Sequence, residues 1–185
     1  MKSYNIGPKL GDFIHGLVIP KYIWETTGEK ANIYISNEAC TFSRDITSTY
    51  LELAPILEKQ EYVEKFNIHT GEKVDYEIFR FRQHKDIFKD AWSKIYFSAF
   101  LQMEEPPINY QWLDSPDMPT GEVIINRSIR SMSKTTQEWY KKLIGERPAA
   151  FVYSDNSQYD AFPLKNLARP IYCEKLENMV AIIKS

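Results

Sequence analysis

The chain has 185 residues, of which 43% are hydrophobic, 14% aromatic and 26% charged, so its composition is that of a globular protein and excludes low-complexity disorder. Its length predicts one domain or two small ones. There are 23 Lys and Arg residues against 25 Asp and Glu, and the net charge of −2 argues against a broad nucleic-acid-binding surface. We therefore expect no nucleic-acid partner.

The sequence also predicts no membrane span, no metal and no cofactor. The N-terminal residues lack the apolar core of a signal peptide, and no apolar run reaches the roughly 20 residues that a span needs, which predicts a cytoplasmic protein. Cys40, Cys173 and the three histidines show no zinc-site spacing, and two buried thiols are a better interpretation than one disulfide. The glycines form neither GxGxxG nor a complete P-loop, which argues against those nucleotide-binding motifs.

The first half of the chain alternates between strand and helix patterns. A strand is predicted at Tyr4–Ile6, followed by a helix that starts with Asp12 at its N-cap, bends at Pro20 and ends at Gly28. Further along, the patterns predict a strand in ANIYIS, a helix at 47–59, a strand at 62–68, a strand in VDYEIFRFR and a helix at 85–101. This order is typical of an α/β unit.

A segment rich in proline separates the two halves. Residues 104–120 contain four prolines and no periodic pattern, which is typical of a connection between units. We predict an N-terminal Rossmann-like unit at 1–105, a linker at 106–120 and a shorter unit at 121–185, in the order βαββα or βαβαβα. Both units are predicted to have mostly parallel sheets, with ligands bound beyond the carboxyl ends of the strands.

Asp12 is the candidate catalytic residue because it follows the first predicted strand. A carboxylate at this position projects toward the ligand crevice and can act as a general base. Asp is also a common N-cap residue, so a purely structural role stays open. His15 lies one helical turn later, where it either contacts a ligand or Asp12, or simply packs.

A second candidate site follows the first strand of the second unit, in the segment INRSIRSMSKTTQEWY. Arg127, Arg130 and Lys134 precede a predicted helix start, where backbone N–H groups and guanidinium groups together favour phosphate. A solvated cationic loop is the alternative interpretation.

These two segments resemble one family. GDFIHGLVIP resembles the Gly-Asp-x-hydrophobic-His-x-Leu start of GT-B glycosyltransferases of the ADP-heptose:lipopolysaccharide heptosyltransferase type, and residues 123–140 look like the opening of that family's nucleotide-sugar-binding domain. The resemblance implies a GT-B-like fold in which Asp12 deprotonates the acceptor and Lys134 contacts the donor phosphates. It implies a ligand-binding set of Gly11, His15, Arg127, Ser128, Arg130 and Lys134. Family members continue beyond AIIKS, so we expect an incomplete second unit, from either a fragment or a shortened, phage-encoded relative.

The leading hypothesis is a glycosyltransferase-like protein that binds a nucleotide-sugar or related nucleotide diphosphate in a cleft between the units, with or without sugar transfer. The alternatives are a non-catalytic protein that sequesters a nucleotide-derived metabolite or docks a protein partner, and a structural interaction protein for which Tyr110 and Trp112 are the only indication. An open sheet edge in a second unit of about three strands also predicts a homodimer.

Overall fold

The computed structural model describes residues 1–7, 9–37, 45–84, 92–103, 111–113, 122–126 and 136–184. The chain divides into unit 1 (Met1–Asp114) and unit 2 (Ser115–Ser185). In both units the described strands pair in parallel, and helices lie between consecutive strands except at residues 69–75, which confirms an α/β fold with parallel sheets that is compatible with Rossmann-like units. The exact predicted bounds, with a linker at 106–120, stay a prediction.

Unit 1 contains a parallel sheet whose strand order is β3-β2-β1-β4. Its described elements are β1 (Lys2–Ile6), α1 (Leu10–Gly16), α2 (Val18–Thr27), β2 (Ala31–Ile35), α3 (Ile46–Leu57), β3 (Val63–Ile68), β4 (Tyr76–Glu77), a 3₁₀ helix (Ile78–Gln83) and α4 (Trp92–Leu101). Of the helix predicted at 85–101, residues 85–91 lie outside the described residues.

The two faces of this sheet differ in polarity. On one face, the register sets Tyr4 beside Ile33 and Tyr76, and Ile33 beside Phe66. The Tyr50 ring of α3 stacks on Phe66 on this side. The Phe13 ring of α1 lies 5.6 Å from that of Phe66 in β3. The opposite face carries polar residues of the two central strands, among them Asn5, which is buried. The main apolar core of unit 1 therefore lies on one side of its sheet.

The predicted helix after β1 consists of two helices. α1 ends at Gly16, α2 begins at Val18, and Pro20 lies in the first turn of α2, where its missing N–H has no intrahelical partner to lose. The predicted helix is therefore interrupted at Leu17, just after Gly16, whose carbonyl is the one that an N–H at Pro20 would have bonded in a continuous helix. The prediction that Gly28 ends the helix is confirmed, because Gly28 adopts a left-handed conformation with φ of 74°.

One local prediction in unit 1 was wrong, and another was confirmed only in part. The N-cap of α1 is Lys9, and Asp12 lies inside the first turn of the helix. The segment VDYEIFRFR forms only the short strand β4 before it turns into the 3₁₀ helix. Its alternation breaks where Ile78 and Phe79 are adjacent, and a 3₁₀ helix buries Ile78 and Phe81 together because they are three residues apart.

Unit 2 has apolar side chains on both faces of its sheet. Its elements are β5 (Val123–Ile125), α5 (Thr136–Ile144), β6 (Ala149–Tyr153), α6 (Asn156–Asp160), β7 (Arg169–Tyr172) and α7 (Leu176–Lys184), and the described strand order is β5-β6-β7. This is the βαβαβα alternative. Phe151 belongs to a cluster with residues of α5 and of the segment after α6, whereas Val152 packs with Ile182 of α7 on the other face.

Strand β7 is an edge strand of the described sheet. Pro170 has no N–H to offer a further strand, and Arg169 places a charge beside it. Both features disfavour strand addition at this edge. Homodimer formation stays a prediction.

Candidate functional site

The strand order of unit 1 places a topological switch point between β1 and β4. From β1 the chain adds β2 and β3 on one side, and then adds β4 on the other side of β1. In open α/β sheets, ligands bind outside the carboxyl ends of the strands at such a point. Here α1 follows the carboxyl end of β1, and the 3₁₀ helix follows the carboxyl end of β4.

An ion pair joins these two segments. The guanidinium of Arg82 donates from Nη2 to Asp12 Oδ2 at 2.6 Å and from Nε to the same oxygen at 3.1 Å. The Asp12 side chain is 10% exposed, whereas that of Arg82 is 34% exposed. The carboxylate is therefore held from within the fold, and the guanidinium extends toward solvent.

The backbone of Asp12 is fixed as well. The Tyr96 hydroxyl, from α4, donates a hydrogen bond to the Asp12 carbonyl oxygen at 2.9 Å. Burial, and secondarily the charge of Asp12, raises the pKa of Tyr96, so the hydroxyl stays protonated and remains a donor. Contacts from two other segments of unit 1 thus position Asp12.

Trp112 packs against the last turn of α1, beside His15. Their ring centroids are 5.7 Å apart, and the Trp112 indole N–H donates to the Ile14 carbonyl at 2.7 Å. The Tyr62 hydroxyl in turn donates to the Trp112 carbonyl at 2.9 Å. Burial lowers the pKa of His15, and the opposing effect of the Asp12 charge is smaller. Neutral pH therefore favours the uncharged imidazole.

The position of Trp112 bears on one interpretation of the sequence. Trp112 was one of the two indications of a structural interaction protein, but its indole is half-buried and bonded within unit 1. Tyr110, the other indication, lies outside the described residues. The packing of Trp112 within unit 1 therefore accounts for this aromatic residue without a partner protein.

The structure describes only part of the predicted ligand-binding set. Gly11 is exposed in α1, and a Cβ added there would meet no atom within 4 Å. The four predicted residues of unit 2, which are Arg127, Ser128, Arg130 and Lys134, lie outside the described residues. Their phosphate-binding role stays a prediction, as does a cleft shared with Asp12.

The sequence reasoning missed Arg82 and Tyr96, and it singled out Trp112 only as an indication of an interaction protein and not as a contact of α1. Arg82 had a usable signal, because it is a basic residue close behind a strand of the first unit, but the whole segment was interpreted as strand. Tyr96 and Trp112 had none, since their contacts with α1 bridge 84 and 98 residues of sequence.

The arrangement can hold an anionic ligand next to a fixed carboxylate. Among the described residues, Nη1 of Arg82 has no hydrogen-bond partner, because both contacts to Asp12 use the other two nitrogens. A guanidinium orients an incoming carboxylate or phosphate well with its remaining N–H groups. Within the same described ranges, no three His, Cys, Asp or Glu side chains come together as a metal site would require.

No helix in the described part of the chain has the length and apolar character needed to cross a membrane. Comparison of the chain with protein-family models, curated protein sequences and solved structures finds no match.

Proposed function

We propose that the protein binds a nucleotide-sugar or a related nucleotide diphosphate, in the manner of GT-B glycosyltransferases. The observation that carries this proposal is the Asp12–Arg82 pair at the switch point of a parallel sheet. That position is the one at which α/β sheets bind their ligands. The resemblance of GDFIHGLVIP to the start of the heptosyltransferases supports the same class of ligand.

In this proposal Arg82 contacts a negatively charged group of the ligand. Its guanidinium is oriented by Asp12 and partly exposed, so an anion can bind without first disrupting the ion pair. The basic residues Arg127, Arg130 and Lys134 are the proposed contacts for the diphosphate in unit 2.

A second candidate function is sugar transfer, and the placement of Asp12 at the switch point favours it. In this mechanism the carboxylate removes the proton of the acceptor hydroxyl, whose oxygen bonds to the sugar as the bond to the nucleoside diphosphate breaks. Both Arg82 contacts fall on Oδ2, so Oδ1 is the proposed proton acceptor. General-base catalysis contributes about 10²–10⁴-fold to such a reaction.

Calorimetry with nucleoside diphosphates and nucleotide-sugars tests the binding proposal. The Arg82→Ala variant should bind about 10- to 100-fold more weakly, because a hydrogen bond to a charged group is lost. Arg80→Ala is the matched control, since the Arg80 side chain is exposed and pairs with Glu77 instead. Circular dichroism checks folding, and Arg82→Lys separates charge from guanidinium geometry.

If no nucleotide binds the wild-type protein, the proposal is wrong. For the transfer mechanism, Asp12→Asn should reduce turnover by about 10²-fold or more. It should weaken nucleotide binding less than Arg82→Ala does, because the amide oxygen of Asn can still accept a hydrogen bond from the Arg82 guanidinium. Tight binding with no turnover on a panel of acceptors would instead support the sequestering alternative.

A further inference from the structure

An exposed aromatic side chain lies at the carboxyl edge of the sheet in unit 2. Tyr172 is the last residue of β7 and is 55% exposed. The register sets it beside Tyr153, the last residue of β6. Both rings therefore lie where the strands of a parallel sheet end and where ligands of such sheets bind.

The Tyr172 ring packs against a buried aromatic ring. Its centroid is 5.6 Å from that of Tyr153, which is 8% exposed. Tyr153 also stacks on Tyr159 of α6, with centroids 5.1 Å apart and planes within 16°. An aromatic ring that rests on packed rings loses little conformational entropy when a ligand covers it, because Tyr has few rotatable bonds.

The surroundings of these rings contain polar and charged groups. The Lys165 ammonium lies 5.1 Å from the centroid of Tyr159 and pairs with Asp160 at 3.5 Å, so both charges lie close to the aromatic group. Asn126 follows β5 at the same edge of the sheet, and its amide donates to the Val152 carbonyl. Polar groups thus accompany the rings at this edge.

The opposite end of β7 has a different character. Arg169, its first residue, forms an ion pair with Glu122, which engages the Arg169 guanidinium. Trp139, which is 56% exposed, lies on α5 and not at the end of a strand. Of these two exposed aromatic side chains, Tyr172 is the one at the carboxyl ends of the strands, which is the side of an α/β sheet on which ligands bind.

We propose that the Tyr172 ring stacks on the nucleobase of the bound nucleotide. This inference rests on the proposed function, because it assigns a contact to the base of the same ligand. Stacking tolerates any base, since every base has a π-face, so the site recognises a planar ring and not one base in particular.

Calorimetry with matched probes tests the inference. The probes are a purine and a pyrimidine nucleoside diphosphate, together with inorganic pyrophosphate and ribose 5-phosphate, which lack the base. Tyr172→Leu should weaken both nucleoside diphosphates about 5- to 100-fold and leave pyrophosphate and ribose 5-phosphate unchanged. Tyr172→Phe, which keeps the ring, should bind like the wild type. Trp139→Leu is the matched control, because it removes an equally exposed aromatic side chain elsewhere in unit 2.

Each other outcome overturns the inference in a distinguishable way. Equal weakening of all the probes by Tyr172→Leu would show a structural effect. Unchanged nucleotide affinity would remove Tyr172 from the site but leave the proposed function standing. Unchanged affinity with a loss of self-association in light scattering would identify Tyr172 as a contact between copies of the chain. If no nucleotide binds the wild-type protein, both proposals are wrong.

Discussion

The central strands of the two sheets differ in what they bury. All five residues of β6, from Ala149 to Tyr153, are buried and largely apolar. β1 instead contains Asn5, which is 1% exposed and whose Oδ1 has no hydrogen-bond partner among the described residues. Strands buried on both faces of a parallel sheet usually form an uninterrupted apolar run, as β6 does.

This difference indicates that the two units bury polar groups unequally. In unit 1, the Oδ1 of Asn32 and the Oγ of Ser36 are also buried without a partner in the described part of the chain. Each such atom costs about 1–3 kcal/mol of folding free energy. Unit 1 thus carries a cost on its polar sheet face, and its carboxyl edge also holds the Asp12–Arg82 pair. In unit 2, aromatic packing dominates.

The largest effect is expected for the aromatic core of unit 2. Phe151 is fully buried, and its ring stacks on that of Phe162 with centroids 4.1 Å apart. Phe151→Ala should lower the free energy of unfolding by about 3–5 kcal/mol, because it leaves a cavity. Hydrogen exchange of peptides that cover β6 measures the loss. Leu167→Ala, at a 42% exposed side chain, is the control and should change little. Equal effects of the two substitutions would contradict the aromatic-core interpretation.

The next effect concerns the packing of α1 on the sheet of unit 1. A Cβ added at Gly16 would lie 2.6 Å from Ile6 Cγ2 and 3.0 Å from Ile78 Cγ2, and both isoleucines are fully buried. Gly16→Ala should therefore lower the free energy of unfolding by about 1–2 kcal/mol, even though alanine favours helices. Gly11→Ala, in the same helix with open space, should raise it by up to about 1 kcal/mol. Thermal melts of the two variants should shift in opposite directions.

The ion pair at the switch point should respond asymmetrically to loss of either partner. Arg82→Ala leaves the buried Asp12 carboxylate without its cation, whereas Asp12→Ala leaves a guanidinium that water can reach. We expect Arg82→Ala to cost about 1–2 kcal/mol, discounted because Arg82 is partly exposed, and Asp12→Ala to cost less. Urea titration monitored by circular dichroism compares them. A larger loss of unfolding free energy for Asp12→Ala than for Arg82→Ala would contradict the interpretation that Asp12 is the more buried partner of the pair.

The smallest effect is a pH dependence at His15. Burial lowers its pKa in the folded protein, so the unfolded chain binds the proton first as the pH falls. Stability should be unaffected by His15 above its ordinary pKa of about 6.5 and should fall as the pH drops below it. His15→Gln removes this contribution, so its melting temperature should fall less than that of the wild type between pH 7.5 and pH 5.5. Equal decreases in melting temperature for the wild type and His15→Gln over this pH range would contradict the prediction.

Local features of this protein could be predicted from its sequence because neighbouring residues determine them. The strands around Tyr4, Ile33 and Phe151 follow from β-branched and aromatic runs, and the end of α2 follows from a glycine that tolerates a positive φ. Because strands and helices alternate along the chain, their order alone indicated an α/β fold with parallel sheets.

The tertiary structure alone decided which side chains meet. Asp12 faces Arg82 across 70 residues, and Trp112 reaches the backbone of α1 from a segment whose sequence predicted only a linker. No local pattern encodes such contacts, because they depend on strand order: the fourth strand pairs with the first and brings the residues behind both strands to one edge. The same dependence explains why Asp12, predicted as a helix cap, is held instead by a guanidinium from the end of β4.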